Sequence, residues 1–156
     1  MSFNKSLVSS NSNDWTTPQY LFDELNHEFM FTVDAASTDE NALLEKHWTK
    51  KEDGLAQNWD CERVWCNPPY GNELRQWVKK ARESKGLSVL LVPARTDTKY
   101  WHEYIFPHAA EIRFLRGRLH FSDSKNASSF PSAIIVFDGR SKMKNDDTIE
   151  NRRKND

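Results

Sequence analysis

At 156 residues, 37% hydrophobic and with a mean hydropathy of −0.82, the chain can form one domain with an unstapled core, and its apolar runs are too short to cross a bilayer. The start, "MSFNKSLVSSNSND", lacks the apolar stretch of a secretory signal, so a cytoplasmic protein is expected. The net charge of −1 conceals a split, with 4 basic against 11 acidic residues over 1–60 and 18 against 12 over 61–156; such a basic half fits contact with phosphates and bases, or is a solvated face.

Residues 1–13 and 139–156 are polar, with little hydrophobic periodicity, and are expected to be disordered tails around one domain over 14–138. "TPQYLFDELNHEF" predicts a helix, with Thr17 as N-cap, Pro18 at the first helical position, and Leu21, Phe22, Leu25 and Phe29 along one face. "MFTVDAAS" reads as a buried strand ending at Asp34. "ENALLEKHW" predicts a helix, and "KEDGLAQNW" a loop turning at Asp53-Gly54.

"RVWC" predicts a second buried strand. "NELRQWVKKARES" predicts a helix capped by Asn72, with Leu74, Trp77, Val78 and Ala81 inward. "LSVLLVP" suits a central strand covered on both faces, and strand, helix, strand implies a parallel crossover. "EIRFLRGRLHF" and "SAIIVFD" read as strands joined by the Ser-rich "SDSKNASSFP". These elements predict a three-layer α/β sandwich, mostly parallel, with an antiparallel strand near its end. Ligands then bind beyond the carboxyl ends of the strands, where Asp34, Asp53 and Asn67 would lie.

Cys61 and Cys66 are five positions apart, without a second Cys pair or a closely spaced His pair, so both are expected as reduced thiols and no metal site is expected. The stretch "VWCNPPYG", residues 64–71, offers more chemistry. Two successive prolines fix φ and push each preceding residue out of helical geometry, pre-ordering the backbone at Asn67 and Pro68. The Asn67 side chain and the Asn67 and Pro68 carbonyls form a cluster of acceptors suited to an amino group. Tyr70 adds an aromatic face, and Gly71 lets the chain turn. Alone, the same residues are also a strand-ending turn.

Here the chain resembles the phage-type DNA N-6-adenine-methyltransferases, Dam-like enzymes that use S-adenosylmethionine. "NPPY" resembles the catalytic signature of amino-group methyltransferases, and "WTTPQYLFDEL" their cofactor-proximal N-terminal helix. "LLVPARTDTKYWHEY" followed by "RGRLHF" is similar to the phage group itself, so the resemblance spans about residues 14–138 with its segments in order. It implies a compact, Rossmann-like α/β/α methyltransferase fold with no separate target-recognition domain. The implied activity is site-specific methyl transfer to adenine N6 in double-stranded DNA, in phage or prophage modification, by a monomer or homodimer in the bacterial host cytoplasm.

By the same resemblance, Asn67, Pro68, Pro69 and Tyr70 are catalytic. Thr17 and Pro18 reach the methionine part of the cofactor, and Asp34 its amino group, with Ala35 leaving room. Asp53 faces the cofactor's adenine amino group, although an Asp-Gly turn explains it too, and Asn41 is a candidate for the ribose hydroxyls. DNA contact is expected from Arg95, Thr96, Asp97 and Lys99, then Arg113, Arg116 and Arg118. One departure is the first loop, "DAAST", which lacks the glycines that normally admit the cofactor's backbone approach. Other planar amines (cytosine N4, RNA adenine, protein glutamine) fit the same site, and a DNA-binding module without catalysis remains a separate reading.

Overall fold

The computed structural model describes residues 16–120 and 130–140. The expected tails, apart from residues 139–140, and most of the Ser-rich connection lie outside the described residues. The described chain is a mixed α/β fold around one five-stranded sheet of order β1-β2-β3-β5-β4. Its strands are β1 (Val33–Asp34), β2 (Arg63–Cys66), β3 (Leu87–Pro93), β4 (Glu111–Phe114) and β5 (Ser132–Asp138). β1, β2 and β3 pair in parallel, while β5 runs antiparallel to both β3 and β4. The reversed strand therefore sits second from the edge.

β3 is buried along its whole length, as its unbroken apolar run requires, and β5 is buried at six of seven positions. Helix α1 (Gln19–Phe29) buries Leu21, Phe22 and Leu25. Phe22 meets the fully buried Trp65 of β2 edge-on at 5.7 Å, and Phe31 packs on the same indole at 5.6 Å. Helix α2 (Leu74–Glu83) buries Leu74, Trp77, Val78 and Ala81, the four positions expected from its period. After β3, a π-helical turn (Trp101–Ile105) runs into the short helix α3 (Phe106–His108).

Several boundaries differ from the sequence reading. α1 starts one residue later: Pro18, in extended geometry, is the capping position, and its carbonyl accepts Phe22 N–H at 3.2 Å. α2 starts at Leu74 with Glu73 before it, so Asn72 lies in the preceding turn and is not the cap. No helix forms over residues 40–48. That segment is a bent strap that meets β1 at a single bridge, where Trp48 N–H donates to Asp34 O at 2.9 Å and Asp34 N–H to Lys46 O at 3.1 Å. The open edge of β1 needs backbone partners, and this demand overrides the helical spacing of Leu43 and Leu44.

The strand expected over residues 111–121 ends at Phe114, and Gly117 turns the chain at φ 70°. Arg116 and Arg118 thus lie beyond β4 and share no strand face with Arg113. Both cysteines are free thiols, Cys61 exposed and Cys66 buried. Among the described residues, no helix is long and apolar enough to cross a membrane.

Candidate active site

β1, β2 and β3 deliver Asp34, Asn67 and Ala94 to one sheet edge, and the start of the reversed β5 brings Phe130 to the same edge. A cleft of about 700 Å³ opens there, within the range of small-ligand sites. Residues 35–41, 48–51 and 53–55 form one wall. Asn67, Pro69 and the Glu73, Gln76 and Trp77 side of α2 form the other. Five residues proposed from sequence, Ala35, Asn41, Asp53, Asn67 and Pro69, therefore line a common cleft.

The Asn67 loop is fixed on both sides. Pro68 and Tyr70 are buried, and Gly71 adopts φ 114°, a conformation in which a side chain is strained. Asn67 Nδ2 donates to Thr17 Oγ1 at 3.0 Å, tying the end of β2 to the residues that open α1. Thr17 is only 5% exposed, and Pro18 beside it is buried. The Tyr70 ring is buried as well, with its hydroxyl 3.4 Å from Leu91 O and its ring edge-on to Phe130 at 5.7 Å. Arg95 lies over the Phe130 ring at 5.4 Å, so Phe130, which the sequence reading missed, links the Asn67 loop to the exposed turn of Arg95, Thr96, Asp97 and Lys99.

Asp34 lies beneath the cleft and does not line it. Burial pushes its carboxyl above the usual aspartate value, opposed by backbone donors at Leu43 and Ala36 and by the nearby His47. The Leu43 N–H contact, 3.1 Å from Asp34 Oδ2, braces the loop that forms the cleft wall. Because the folded state prefers the protonated acid, this stabilising contribution is fully present below the ordinary pKa of 3.8 and is lost as pH rises through the raised folded value. Asp34→Asn cannot ionise. Urea denaturation from about pH 4 to pH 7 should therefore show wild type losing stability relative to this variant as pH rises, whereas parallel curves would mean that Asp34 is not strained by burial.

Asp53 has φ 58°, and its carboxylate caps the short 3-10 turn Gly54–Ala56 by accepting Leu55 N–H at 3.2 Å. It is a turn residue that also lines the cleft. Asn41 and Thr38 bond reciprocally: Thr38 N–H reaches Asn41 Oδ1 at 2.7 Å, and Asn41 N–H reaches Thr38 Oγ1 at 3.1 Å. Across the cleft, Trp77 has a buried indole N–H with no hydrogen-bond partner among the described residues. The sequence reading treated Trp77 only as an inward helix position.

Glycine is absent from "DAAST", yet one close approach is made by Gly54, within the same wall. A Cβ on Gly54 would lie 2.2 Å from the Ala35 carbonyl oxygen and 2.8 Å from the Trp77 ring. Gly54→Ala should cost about 1–3 kcal/mol in urea denaturation and weaken ligand binding in the cleft. Wild-type stability in that variant would mean that the cleft floor yields.

Arg113 is not brought to this site. Its guanidinium pairs with Glu28 and Glu111 and covers Phe29 at 5.3 Å. Glu28 lies at the far end of α1 from Thr17, about 16 Å away at the helical rise. Arg113 therefore braces α1 against β4. Among the described residues, no group of three or more His, Cys, Asp or Glu side chains is placed to hold a metal ion.

Fold and site together define an α/β protein that sets a small-ligand cleft against a conformationally fixed Asn-Pro-Pro-Tyr loop. The family model for DNA N-6-adenine-methyltransferase (Dam) matches residues 5–154, and the chain belongs to that family. It is 31% identical over 110 residues to a DNA N-6-adenine-methyltransferase of Escherichia phage T1, covering 67% of this chain and 45% of the relative. It is 23% identical over 135 residues to a DNA N-6-adenine-methyltransferase of Haemophilus phage HP1 (strain HP1c1), covering 80% of this chain and 78% of the relative. The chain thus spans under half the length of the phage T1 relative.

Proposed function

We propose that the chain methylates the N6 amino group of adenine in double-stranded DNA, with S-adenosylmethionine as methyl donor. The observation that carries this reading is the position of Asn67, which lines the ligand cleft and is followed directly by buried Pro68 and Tyr70. The residues present suit such a donor. The cleft has the volume, Trp77 offers an unsatisfied indole N–H, and Asp53 and Asn41 offer polar contacts to ribose and adenine groups. When bound, S-adenosylmethionine supplies a sulfonium-activated methyl group.

The chain's own part is to bind, orient and exclude. Adenine N6 is a poor nucleophile because its lone pair is delocalised into the ring. Asn67 Oδ1 and the Pro68 carbonyl accept the two N6–H bonds, which lets the nitrogen pyramidalise and directs its lone pair away from those acceptors. Proline at 68 and 69 keeps these oxygens free of competing local N–H groups and removes rotational freedom. Orientation of this kind contributes about 7–11 kcal/mol to a bimolecular reaction.

Adenine must leave the duplex to reach Asn67, at a cost of a few kcal/mol. Arg95, Thr96, Asp97, Lys99, Arg116 and Arg118 are the proposed DNA contacts. Arg95 couples to the site through Phe130, and Arg113, the remaining proposed contact, also pairs with Glu28 and Glu111. In this reading α1 covers the Trp65 face of the sheet and α2 the other, giving three layers. The enzyme works as a monomer or homodimer in the cytoplasm of a bacterial host. Incubation with tritiated-methyl S-adenosylmethionine and DNA, RNA or protein, followed by nucleoside analysis, tests it. N6-methyladenine from duplex DNA is the expected product; label in cytosine, RNA or protein alone would overturn the reading.

A further inference from the structure

Thr17 and Asn67 are 50 residues apart in sequence and 3.0 Å apart in space. Thr17 is held at the mouth of α1, and Asn67 arrives from β2, so two separate elements converge on one amide. An asparagine side chain has an acceptor end and a donor end. Only one of its two orientations presents the acceptor to an incoming amine. In that orientation the NH2 end is turned into the protein and needs an acceptor of its own, because an orphaned buried donor is costly. Thr17 Oγ1 is that acceptor.

We propose that Thr17 is a positioning residue for methyl transfer, acting through Asn67. Its hydroxyl satisfies Nδ2 in the state where Oδ1 takes the target N–H, and so holds the amide plane for attack. This role rests on the reading that Asn67 grips adenine N6, and it differs from the cofactor contact that the family resemblance implies for Thr17. Were Thr17 chiefly a cofactor ligand, removing its hydroxyl would weaken S-adenosylmethionine binding. As a positioning residue, it loses rate in the chemical step and leaves that binding intact.

The test uses the full chain, single-turnover methylation of duplex DNA, and calorimetry with S-adenosylmethionine. Thr17→Val keeps the shape of the side chain and removes the acceptor; it should slow single-turnover transfer roughly 10- to 100-fold, the factor expected when one hydrogen bond to a buried group is removed. Cofactor affinity should stay within about threefold, and Thr17→Ser, which restores the hydroxyl, should return to within about threefold of the wild-type rate. If Thr17→Val does not accumulate as folded protein, Thr17→Ala, which demands less space, gives the same comparison.

An unchanged rate in the variant lacking the hydroxyl overturns the positioning role. So does a serine variant as slow as the valine one, or a fall in cofactor affinity that matches the fall in rate. Absence of N6-methyladenine from wild-type reactions is a different failure, visible before any variant is compared, and removes the underlying reading.

Discussion

Replacing Asn67 with alanine should lower methyl transfer by roughly 10²–10³-fold or more while leaving S-adenosylmethionine affinity within a few-fold. The magnitude follows from what the side chain does. In the proposed mechanism its oxygen serves the amine as the bond forms, whereas the cleft proposed for the donor is walled mainly by residues 35–41, 48–51 and 53–55 and by α2. Truncation therefore removes an interaction that matters most in the transition state and little of the ground-state surface. Asn67 is half-buried and its neighbours Pro68 and Tyr70 carry the local packing, so the fold should survive. Single-turnover rates paired with calorimetry check the split. Equal losses of rate and affinity would make Asn67 a wall of the cleft and nothing more.

Much of the frame was legible because local pattern and tertiary role coincide. "LSVLLVP" and "SAIIVFD" have no polar face, and both are interior strands of the sheet. The inward set of α2 follows its helical period residue by residue. Where sequence misled, a distant partner decided. Residues 40–48 carry helical spacing but pair with the edge of β1. The site divides in the same way: "NPPY" and the turn at Gly71 are local and could be read, whereas the Thr17 hydrogen bond, the Gly54 approach to Ala35 and the Phe130 link each join segments far apart in the chain.

Tyr70 to alanine is the second large effect expected, and it acts on two quantities at once. The ring is 7% exposed and meets Phe130 edge-on, so its removal should cost about 3–5 kcal/mol of stability, the range for a buried aromatic truncated to alanine. That is a large share of the roughly 5–15 kcal/mol typical of a domain. In the proposed mechanism the same ring, part of the Asn67 loop, stacks on the extruded base, which would contribute about 1–3 kcal/mol and offset much of the extrusion cost. Tyr70→Phe separates the two roles, because it keeps the ring and removes the hydroxyl, whose contact to Leu91 O is a long 3.4 Å. Stability and methylation should both stay near wild type in Tyr70→Phe and both fall in Tyr70→Ala, with the rate measured at a temperature where the variant remains folded. A folded alanine variant with wild-type turnover would assign the ring to the core alone, and adenine would then have to be held by Asn67 and Pro68 without an aromatic partner.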